Sequence, residues 1–240
     1  MMSHGHHQQH CVRLASLNVN GLRTRLHSIV ENCVKQRLDV VCLQDTRALA
    51  SHIGQLNLAV DRLADDTSLR LFNCPHTGFD CYWAPAQSTR VGGVAIWLRR
   101  SSLVHGGVRL LGECPVHEDG RSLTLRLNLG GHMVALSSVY VPAQPQPRLV
   151  FLQQRLPQVL QVAGDPLLMG DWNFAESPVL DRVRRQQPPA GQFEGQHAAD
   201  QPAINAFRSV AVDLHDVFRV LHPVRRSYTY FHTIGMLTLV

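Results

Sequence analysis

Short apolar runs in the first part of the chain predict two strands with a helix between them. Residues 12–19 and 38–43 are β-prone apolar runs that are typical of buried strands. Apolar residues recur at helical spacing over residues 21–36. A strand, a helix and a second strand in this order predict a right-handed βαβ unit.

The middle of the chain changes character, because its strand-like runs are separated by glycine-rich turns. We predict antiparallel strands at residues 79–83, 91–98, 123–129 and 133–141. The later elements are a helix at 149–162, a buried strand at 167–170, a Gln-, Pro- and Gly-rich loop at 186–202 and a helix at 203–212.

This order of elements predicts an α/β fold, with two packed sheets covered by helices. We expect residues 1–10, rich in His and Gln, to form a disordered tail, and residues 11–240 to form a single domain. With 240 residues, of which 45% are hydrophobic and 17% charged, the chain is long enough to build a sizeable core.

The composition also bears on location and partners. No run approaches the ~20 apolar residues that cross a bilayer, and the start lacks the apolar segment of a signal peptide. The six cysteines have no Cys-x-x-Cys spacing, which favours reduced thiols over disulfides or a zinc site. We therefore expect an intracellular protein, with the nucleus as one candidate compartment, that acts as a monomer away from membranes. The net charge of +5 suits a polyanionic partner such as nucleic acid.

Candidate chemistry lies where apolar runs end abruptly in polar side chains. In α/β sheets, sites form at the carboxyl ends of strands. Four such ends are residues 18–21 (NVNG), 44–46 (QDT), 140–142 (YVP) and 170–173 (GDWN).

Each strand end, taken alone, also has a purely structural explanation. Asn20 suits a tight turn, and Asp45 suits the cap of a following helix. Tyr140 suits a buried ring with a satisfied hydroxyl, and residues 171–173 suit an Asx-turn. The four ends carry a functional argument when they are taken together and in this order.

That order resembles the endonuclease/exonuclease/phosphatase superfamily, especially apurinic/apyrimidinic endonucleases and the endonuclease domains of non-LTR retrotransposons. The matching segments are residues 14–23 (LASLNVNGLR), 39–46 (DVVCLQDT), 140–142 (YVP), 170–173 (GDWN) and 214–219 (LHDVFR). The resemblance implies a four-layered α-β-β-α sandwich of two mixed sheets.

The resemblance also implies a Mg²⁺ or Mn²⁺ site whose ligands come from Asn18, Asp45, Asp171 and Asn173. Carboxylate and amide oxygens are the ligands that hard cations prefer, and a bound cation would stabilise the negative charge that develops when a phosphodiester is cleaved. We expect these four side chains to converge on one cation-sized space.

The same resemblance assigns catalytic roles. Tyr140 would contact the scissile phosphate, Asp171 would orient or deprotonate the attacking water, and Asn173 would help to fix the phosphate. Asn20 would line the site beside them. The implied activity is a DNA endonuclease of apurinic/apyrimidinic (repair) or retrotransposon type, and we favour a retrotransposon origin.

Three departures from the family pattern bear on that activity. Asp45 stands where the family usually has Glu, and Ala143 stands where it has Asn after Tyr-x-Pro. After Phe231 the family continues to a Ser-Arg-x-Asp motif and an Asp-His pair, which residues 232–240 lack. We therefore expect a domain that is incomplete at its C-terminus, with its last strand or strands missing and its activity impaired.

Two alternatives stay open on the sequence alone. The chain could be an inactive nuclease-like domain that at most binds nucleic acid. It could also be a phosphoesterase of the same fold that acts on RNA or on phospholipid-derived substrates, since fold alone does not fix the substrate.

Overall fold

The computed structural model describes residues 11–75, 78–104, 107–112, 117–118, 120–175 and 192–225. These residues form two compact units. The first contains the described residues up to Val139 together with Val162–Gly170, and the second contains Tyr140–Gln161 and the described residues from Asp171 onward.

The first unit contains a mixed four-stranded sheet in the order β1-β2-β4-β3. Strands β1 and β2 are parallel, as the predicted βαβ unit requires, whereas β4 runs antiparallel to both β2 and β3. The strands are β1 (Leu14–Asn18), β2 (Val40–Gln44), β3 (Phe79–Ala84) and β4 (Val94–Arg99).

A second sheet has the order β5-β7-β8-β9, with β6 paired to β7. Strand β7 is antiparallel to β5, β6 and β8, in agreement with the antiparallel arrangement predicted for the middle of the chain. The strands are β5 (Val108–Leu110), β6 (His117–Glu118), β7 (Ser122–Leu129), β8 (His132–Tyr140) and β9 (Asp165–Asp171).

The two sheets of the first unit are joined by a buried polar contact. Gln44 Nε2 donates a hydrogen bond to Ser138 Oγ at 3.0 Å, and the same hydroxyl donates to the Leu43 carbonyl at 3.2 Å. Gln44 Oε1 also accepts a hydrogen bond from Ser16 at 3.3 Å. Because these groups are hydrogen-bonded where β2 is buried, they fix the end of the strand without leaving the Gln44 amide unsatisfied.

Two helices of the first unit pack against each other. Helix α1 (Leu26–Lys35) buries an apolar stripe at spacings of three and four residues, as predicted. Helix α2 (Ile53–Phe72), preceded by a 3₁₀ turn (Ala50–His52), ends at Asn73, whose left-handed backbone (φ 50°) lets its N–H bond the Leu69 carbonyl at 3.1 Å. Helix α2 was not predicted from the sequence. A short helix, α3 (Arg100–Val104), follows β4.

Among the described residues of the second unit, the regular elements are helices, apart from the strand ends at Tyr140 and Asp171. Helix α4 (Pro145–Val150) continues through a π-helical turn (Phe151–Arg155) into α5 (Leu156–Leu160), as predicted for residues 149–162. Helix α6 (Gln192–Val210) packs on α4 and on the π-helical turn, and α7 (Val217–Leu221) follows it.

The loop predicted at residues 186–202 is wrong from residue 192 onward, because those residues belong to α6. Glutamine is a good helix former, and neither Gly195 nor Pro202 ends the helix, although both are poor helix formers. Residues 186–191 lie outside the described residues.

The predicted α/β class with two packed sheets is confirmed. The absence of a last strand concerns residues 226–240, which lie outside the described part of the chain, as does the predicted tail at residues 1–10. Across the described residues, no helix has the length and apolar character needed to span a membrane.

Candidate functional site

The carboxyl ends of β1 and β2 lie side by side, because the two strands pair in register from Leu14 opposite Val40 to Asn18 opposite Gln44. The pairing continues past the strands, where Val19 N–H donates to the Gln44 carbonyl and Gly21 N–H donates to the Asp45 carbonyl at 2.8 Å. The sequence therefore brings its first two motifs to one edge of the sheet, as predicted.

The carboxylate of Asp45 is buried and has partners on both oxygens. Its residue is 3% exposed, Oδ1 accepts the Gly92 N–H at 2.8 Å, and Oδ2 accepts Arg47 Nη2 at 2.8 Å and Nε at 3.1 Å. The Arg47 guanidinium also donates to Asn20 Oδ1. Asp45 is thus hydrogen-bonded to the glycine turn before β4 and to the guanidinium of Arg47. It does not cap a helix.

Three residues of this edge adopt left-handed backbone conformations, with φ of 46° at Asn20, 52° at Asp45 and 53° at Arg47. Asn and Asp tolerate this region better than other side chains, whereas Arg rarely occupies it. Strained backbone of this kind concentrates at functional sites, and here it turns the three side chains toward one another.

Asn18 closes a turn at the end of β1. Its Oδ1 accepts the backbone N–H of Asn20 at 2.9 Å, so the tight turn considered for this segment is present. The turn also holds Asn20 where its own Oδ1 can meet Arg47. Asn18 and Asn20 therefore stabilise a turn and also lie at the candidate site.

The Gly92–Gly93 pair wraps closely around the Asp45 loop. The Thr46 N–H donates to the Gly93 carbonyl at 3.0 Å, and the Arg47 N–H donates to the Gly92 carbonyl at 2.9 Å. A Cβ on Gly93, where φ is +80°, would lie 2.5 Å from Thr46 Oγ1. This approach requires glycine, whereas the sequence alone indicated merely a turn.

In the second unit, the third and fourth motifs are hydrogen-bonded to each other. Val141 N–H donates to the Asp171 carbonyl at 2.9 Å, and Asn173 Nδ2 donates to the Val141 carbonyl at 2.7 Å. Asn173, at φ 52°, also donates its N–H to Asp171 Oδ1 at 3.0 Å, which is the predicted Asx-turn. Tyr140, directly before this contact, is 7% exposed.

The buried side chain of Arg148 is hydrogen-bonded to the segment that follows Tyr140. Arg148 Nε donates to the Pro142 carbonyl at 3.2 Å and Nη2 donates to the Ala143 carbonyl, while Nη1 pairs with Asp200 at 2.8 Å. The arginine therefore fixes backbone at the position where Ala143 lacks the amide side chain of the family pattern.

An aromatic cluster lies beside the fourth motif. The ring of Trp172 packs edge-on against Phe207 of α6, with 4.8 Å between ring centroids, and Phe174 completes the cluster at 5.8 Å from Phe207. Trp172 therefore packs against other rings of its own unit.

The six predicted site residues thus fall into two groups. The first unit brings together Asn18, Asn20 and Asp45, and the second brings together Tyr140, Asp171 and Asn173. The convergence of all four predicted ligands on one space remains a prediction. Sequence reasoning missed Arg47, Gly92 and Arg148, because their importance comes from contacts that local patterns do not encode.

The donor types fit a hard divalent cation. Asn18 and Asp45 offer amide and carboxylate oxygens in one unit, and Asp171 and Asn173 offer them in the other. Among the described residues, no cluster of three or more His, Cys, Asp or Glu is suited to hold a metal. A cation bound by described residues would therefore rely on amide, backbone or water oxygens beside a small number of carboxylates, as Mg²⁺ does.

The motif order has a counterpart in a known family. The family model described as the Endonuclease/Exonuclease/phosphatase family matches residues 15–227. The chain belongs to this family. The match spans nearly all of the motif segments on which the resemblance depended, whereas no curated protein matches the chain.

Solved structures share the fold of this family member. An AP endonuclease from Archaeoglobus fulgidus is 21% identical with a TM-score of 0.61, over 94% of this chain and 80% of its own. The AP endonuclease LMAP from Leishmania major is 21% identical with a TM-score of 0.62, over 89% and 70%. A variant of the Neisseria 3′ phosphatase NExo, bound to a product DNA hairpin, is 18% identical with a TM-score of 0.61, over 95% and 81%. At these identities, the likeness supports the sandwich fold and leaves the substrate open.

Proposed function

We propose that the chain is a divalent-metal-dependent phosphodiester hydrolase that cleaves DNA. The observation that carries this proposal is the pairing of the motifs at strand ends, with Asn20 beside Asp45 in one unit and Asp171 beside Val141 in the other. Oxygen donors that hydrogen-bonded strand ends and turns hold in place are rigid, as catalysis by positioning requires.

The residues have distinct roles in this proposal. Asn18, Asp45, Asp171 and Asn173 would hold Mg²⁺ or Mn²⁺, which when bound would offset phosphate charge and lower the pKa of water. Asp171 orients the attacking water and takes its proton. The segment that follows β8 is held by hydrogen bonds and would fix the end of the strand, from which Tyr140 would contact the scissile phosphate.

DNA is the substrate class favoured by the neighbouring structures. Two of them are AP endonucleases, and another, a 3′ phosphatase, is bound to a product DNA hairpin. The net charge of +5 agrees with a polyanionic substrate. The segment at residues 18–23 (NVNGLR) also resembles the DNA-cleaving branches of the family.

Nicking of a supercoiled plasmid tests the proposal. Asp171→Asn keeps an oxygen that can accept the Asn173 N–H and removes the carboxylate charge, so it should fold and lose at least about 100-fold in cleavage rate. Asp213→Asn, at an exposed position of the same unit, is the matched control and should cleave like the unaltered chain. Equal cleavage by the two variants would refute the assignment of Asp171.

The substrate is resolved by parallel assays. Turnover of abasic DNA, undamaged DNA, RNA and a phosphoinositide should be compared at one Mg²⁺ concentration, with EDTA as the metal-free control. Cleavage of DNA in preference to the others is expected. Turnover of the phosphoinositide or RNA alone would replace the proposed substrate class.

One observation favours a second candidate, a nucleic-acid-binding domain without cleavage. The Asp45 carboxylate is already paired with Arg47, as in a site that takes no cation. This candidate predicts salt-sensitive DNA binding and no EDTA-sensitive nicking, so the plasmid assay separates it from the hydrolase.

A further inference from the structure

Asp45, the acidic candidate ligand, already has a cation in contact with it. Two nitrogens of the Arg47 guanidinium donate to its Oδ2, at 2.8 and 3.1 Å, and the Asp45 side chain is 4% exposed. A buried carboxylate requires compensation of its charge, and Arg47 supplies it.

Contacts other than the ion pair also hold Arg47 in this position. Its backbone is left-handed, its N–H bonds the Gly92 carbonyl, and its guanidinium also donates to Asn20. Gly21 lies against its side chain, where a Cβ would meet the Arg47 Cδ at an ordinary contact distance of 3.6 Å. The side chain is 32% exposed, so it can move into solvent when Asp45 takes another partner.

We propose that Arg47 is a tethered counter-ion that competes with the divalent cation for Asp45. This inference rests on the proposed function and concerns the metal affinity of the same site. A cation that approaches the buried Asp45 carboxylate also meets the half-buried Arg47 guanidinium, and charge repulsion there is screened less than in bulk water. Binding therefore requires Arg47 to leave Oδ2, and the apparent affinity falls by the cost of that displacement.

When no metal ion is bound, Arg47 stabilises the folded conformation of the strand ends around Asp45. It neutralises Asp45 while Gly92 N–H occupies the other carboxylate oxygen. Arg47 thus keeps the edge of the sheet ordered when metal is scarce and raises the concentration at which metal enters. Arg47 is a residue that determines metal affinity, and no contact of Arg47 with substrate is required.

A Mn²⁺ titration of the whole chain, in which free Mn²⁺ is measured by its EPR signal, tests the proposal without reference to activity. Arg47→Gln should lower the apparent Kd for Mn²⁺ by about tenfold or more, since a tenfold change corresponds to the loss of a modest charge repulsion. Arg109→Gln removes the same charge from an exposed position of the first unit and should leave the Kd unchanged.

Arg47→Gly provides a second variant that tolerates the left-handed backbone, so a folding defect of the glutamine variant does not end the test. It should tighten Mn²⁺ binding in the same way, with folding checked by circular dichroism. Unchanged or weaker binding in both folded variants would overturn the proposal.

The double variant Asp45→Asn/Arg47→Gln connects the effect to the carboxylate and should lose the tightened binding. If it binds Mn²⁺ as well as Arg47→Gln, the competition does not involve Asp45 and the proposal fails. The proposed function fails by a different measurement, the absence of EDTA-sensitive cleavage in the plasmid assay. Either proposal can therefore be rejected by a result of its own.

Discussion

Arg148 and Asp200 form a buried ion pair in the second unit, with 2.8 Å between the guanidinium and the carboxylate and side-chain exposures of 7% and 9%. The same guanidinium bonds the carbonyls of Pro142 and Ala143. The pair therefore connects helix α6 to the segment that follows Tyr140.

Removal of one residue of this ion pair should lower the stability of the folded chain. Arg148→Met leaves Asp200 charged and buried, and we expect it to lower the free energy of unfolding by about 3–5 kcal/mol. The double variant Arg148→Met/Asp200→Leu removes both charges and should recover most of that loss. Urea unfolding at pH 7 measures both values.

The exposed pair of Arg70 and Glu31 is the matched control. With side-chain exposures of 59% and 27%, it should contribute little, so Arg70→Met should unfold close to the unaltered chain. Comparable losses for Arg70→Met and Arg148→Met would show that burial does not distinguish the two pairs.

Gly93 should not accept a side chain. In Gly93→Ala, the new Cβ would approach Thr46 Oγ1 and the Ala86 backbone at a φ of +80°, and we expect a loss of about 1–3 kcal/mol. Gly54→Ala is the control, because its Cβ would meet nothing within 4 Å and its site in α2 favours Ala by up to about 1 kcal/mol. Thermal unfolding should move in opposite directions for the two variants, and a stabilised Gly93→Ala would contradict this close approach.

The contribution of Asn173 to the free energy of unfolding should depend on the N–H donor of its side-chain amide. Asn173→Asp replaces an N–H that bonds the Val141 carbonyl by a carboxylate oxygen, so repulsion is added to the lost bond, at a cost of about 1–3 kcal/mol. Asn173→Gly loses the same bond and relieves the left-handed backbone, so it should cost less. Urea unfolding of the two variants gives the order, and the reverse order would show that the amide does not act as a donor here.

The buried thiols should make stability depend on alkaline pH. Burial raises the pKa of Cys33 to about 12, although the nearby Arg99 opposes the rise. An unfolded thiol ionises near pH ~8.5, so the unfolded chain releases this proton first as the pH rises. The contribution of Cys33 to stability is therefore complete below about pH 8.5 and is lost progressively toward pH 12.

Urea unfolding at pH 8 and pH 10 checks this sign. The decrease between these two values should be about 2 kcal/mol larger in the unaltered chain than in Cys33→Ala. Equal decreases in the two proteins would contradict the raised pKa of Cys33.

Cys11 and Cys74, which are exposed, should react with iodoacetamide at pH 8 in the folded chain, whereas Cys33 and Cys42 should not.

The sequence was most informative where apolar runs are continuous and end sharply. The strand that precedes Asp45 is fully buried, as predicted, because a run of this short length favours a strand over a helix. The strand that leads to Asp171 was predicted as buried, but in the structure it is exposed at its start and half-buried from Leu167 onward. Helix α2 went unpredicted because its buried face includes Ala64, Thr67 and Ser68, which give little apolar contrast.

The contacts that shape the candidate site were less predictable. Arg47 and Asp45 lie two residues apart, yet their pairing depends on left-handed backbone that no propensity favours for arginine. The bond from Gly92 to Asp45 joins positions 47 residues apart in sequence. Such contacts follow from the register of β2 with β4, which the composition of either strand does not specify.

The hydroxyl of Ser138 lies between the two sheets and bonds the last two residues of β2, immediately before Asp45. A substitution at this serine removes hydrogen bonds that hold the end of β2, to which Asp45 is joined by one peptide bond. If Asp45 holds a metal ion as proposed, a substitution at Ser138 on β8 would alter how that carboxylate is placed without changing any residue of the four motifs.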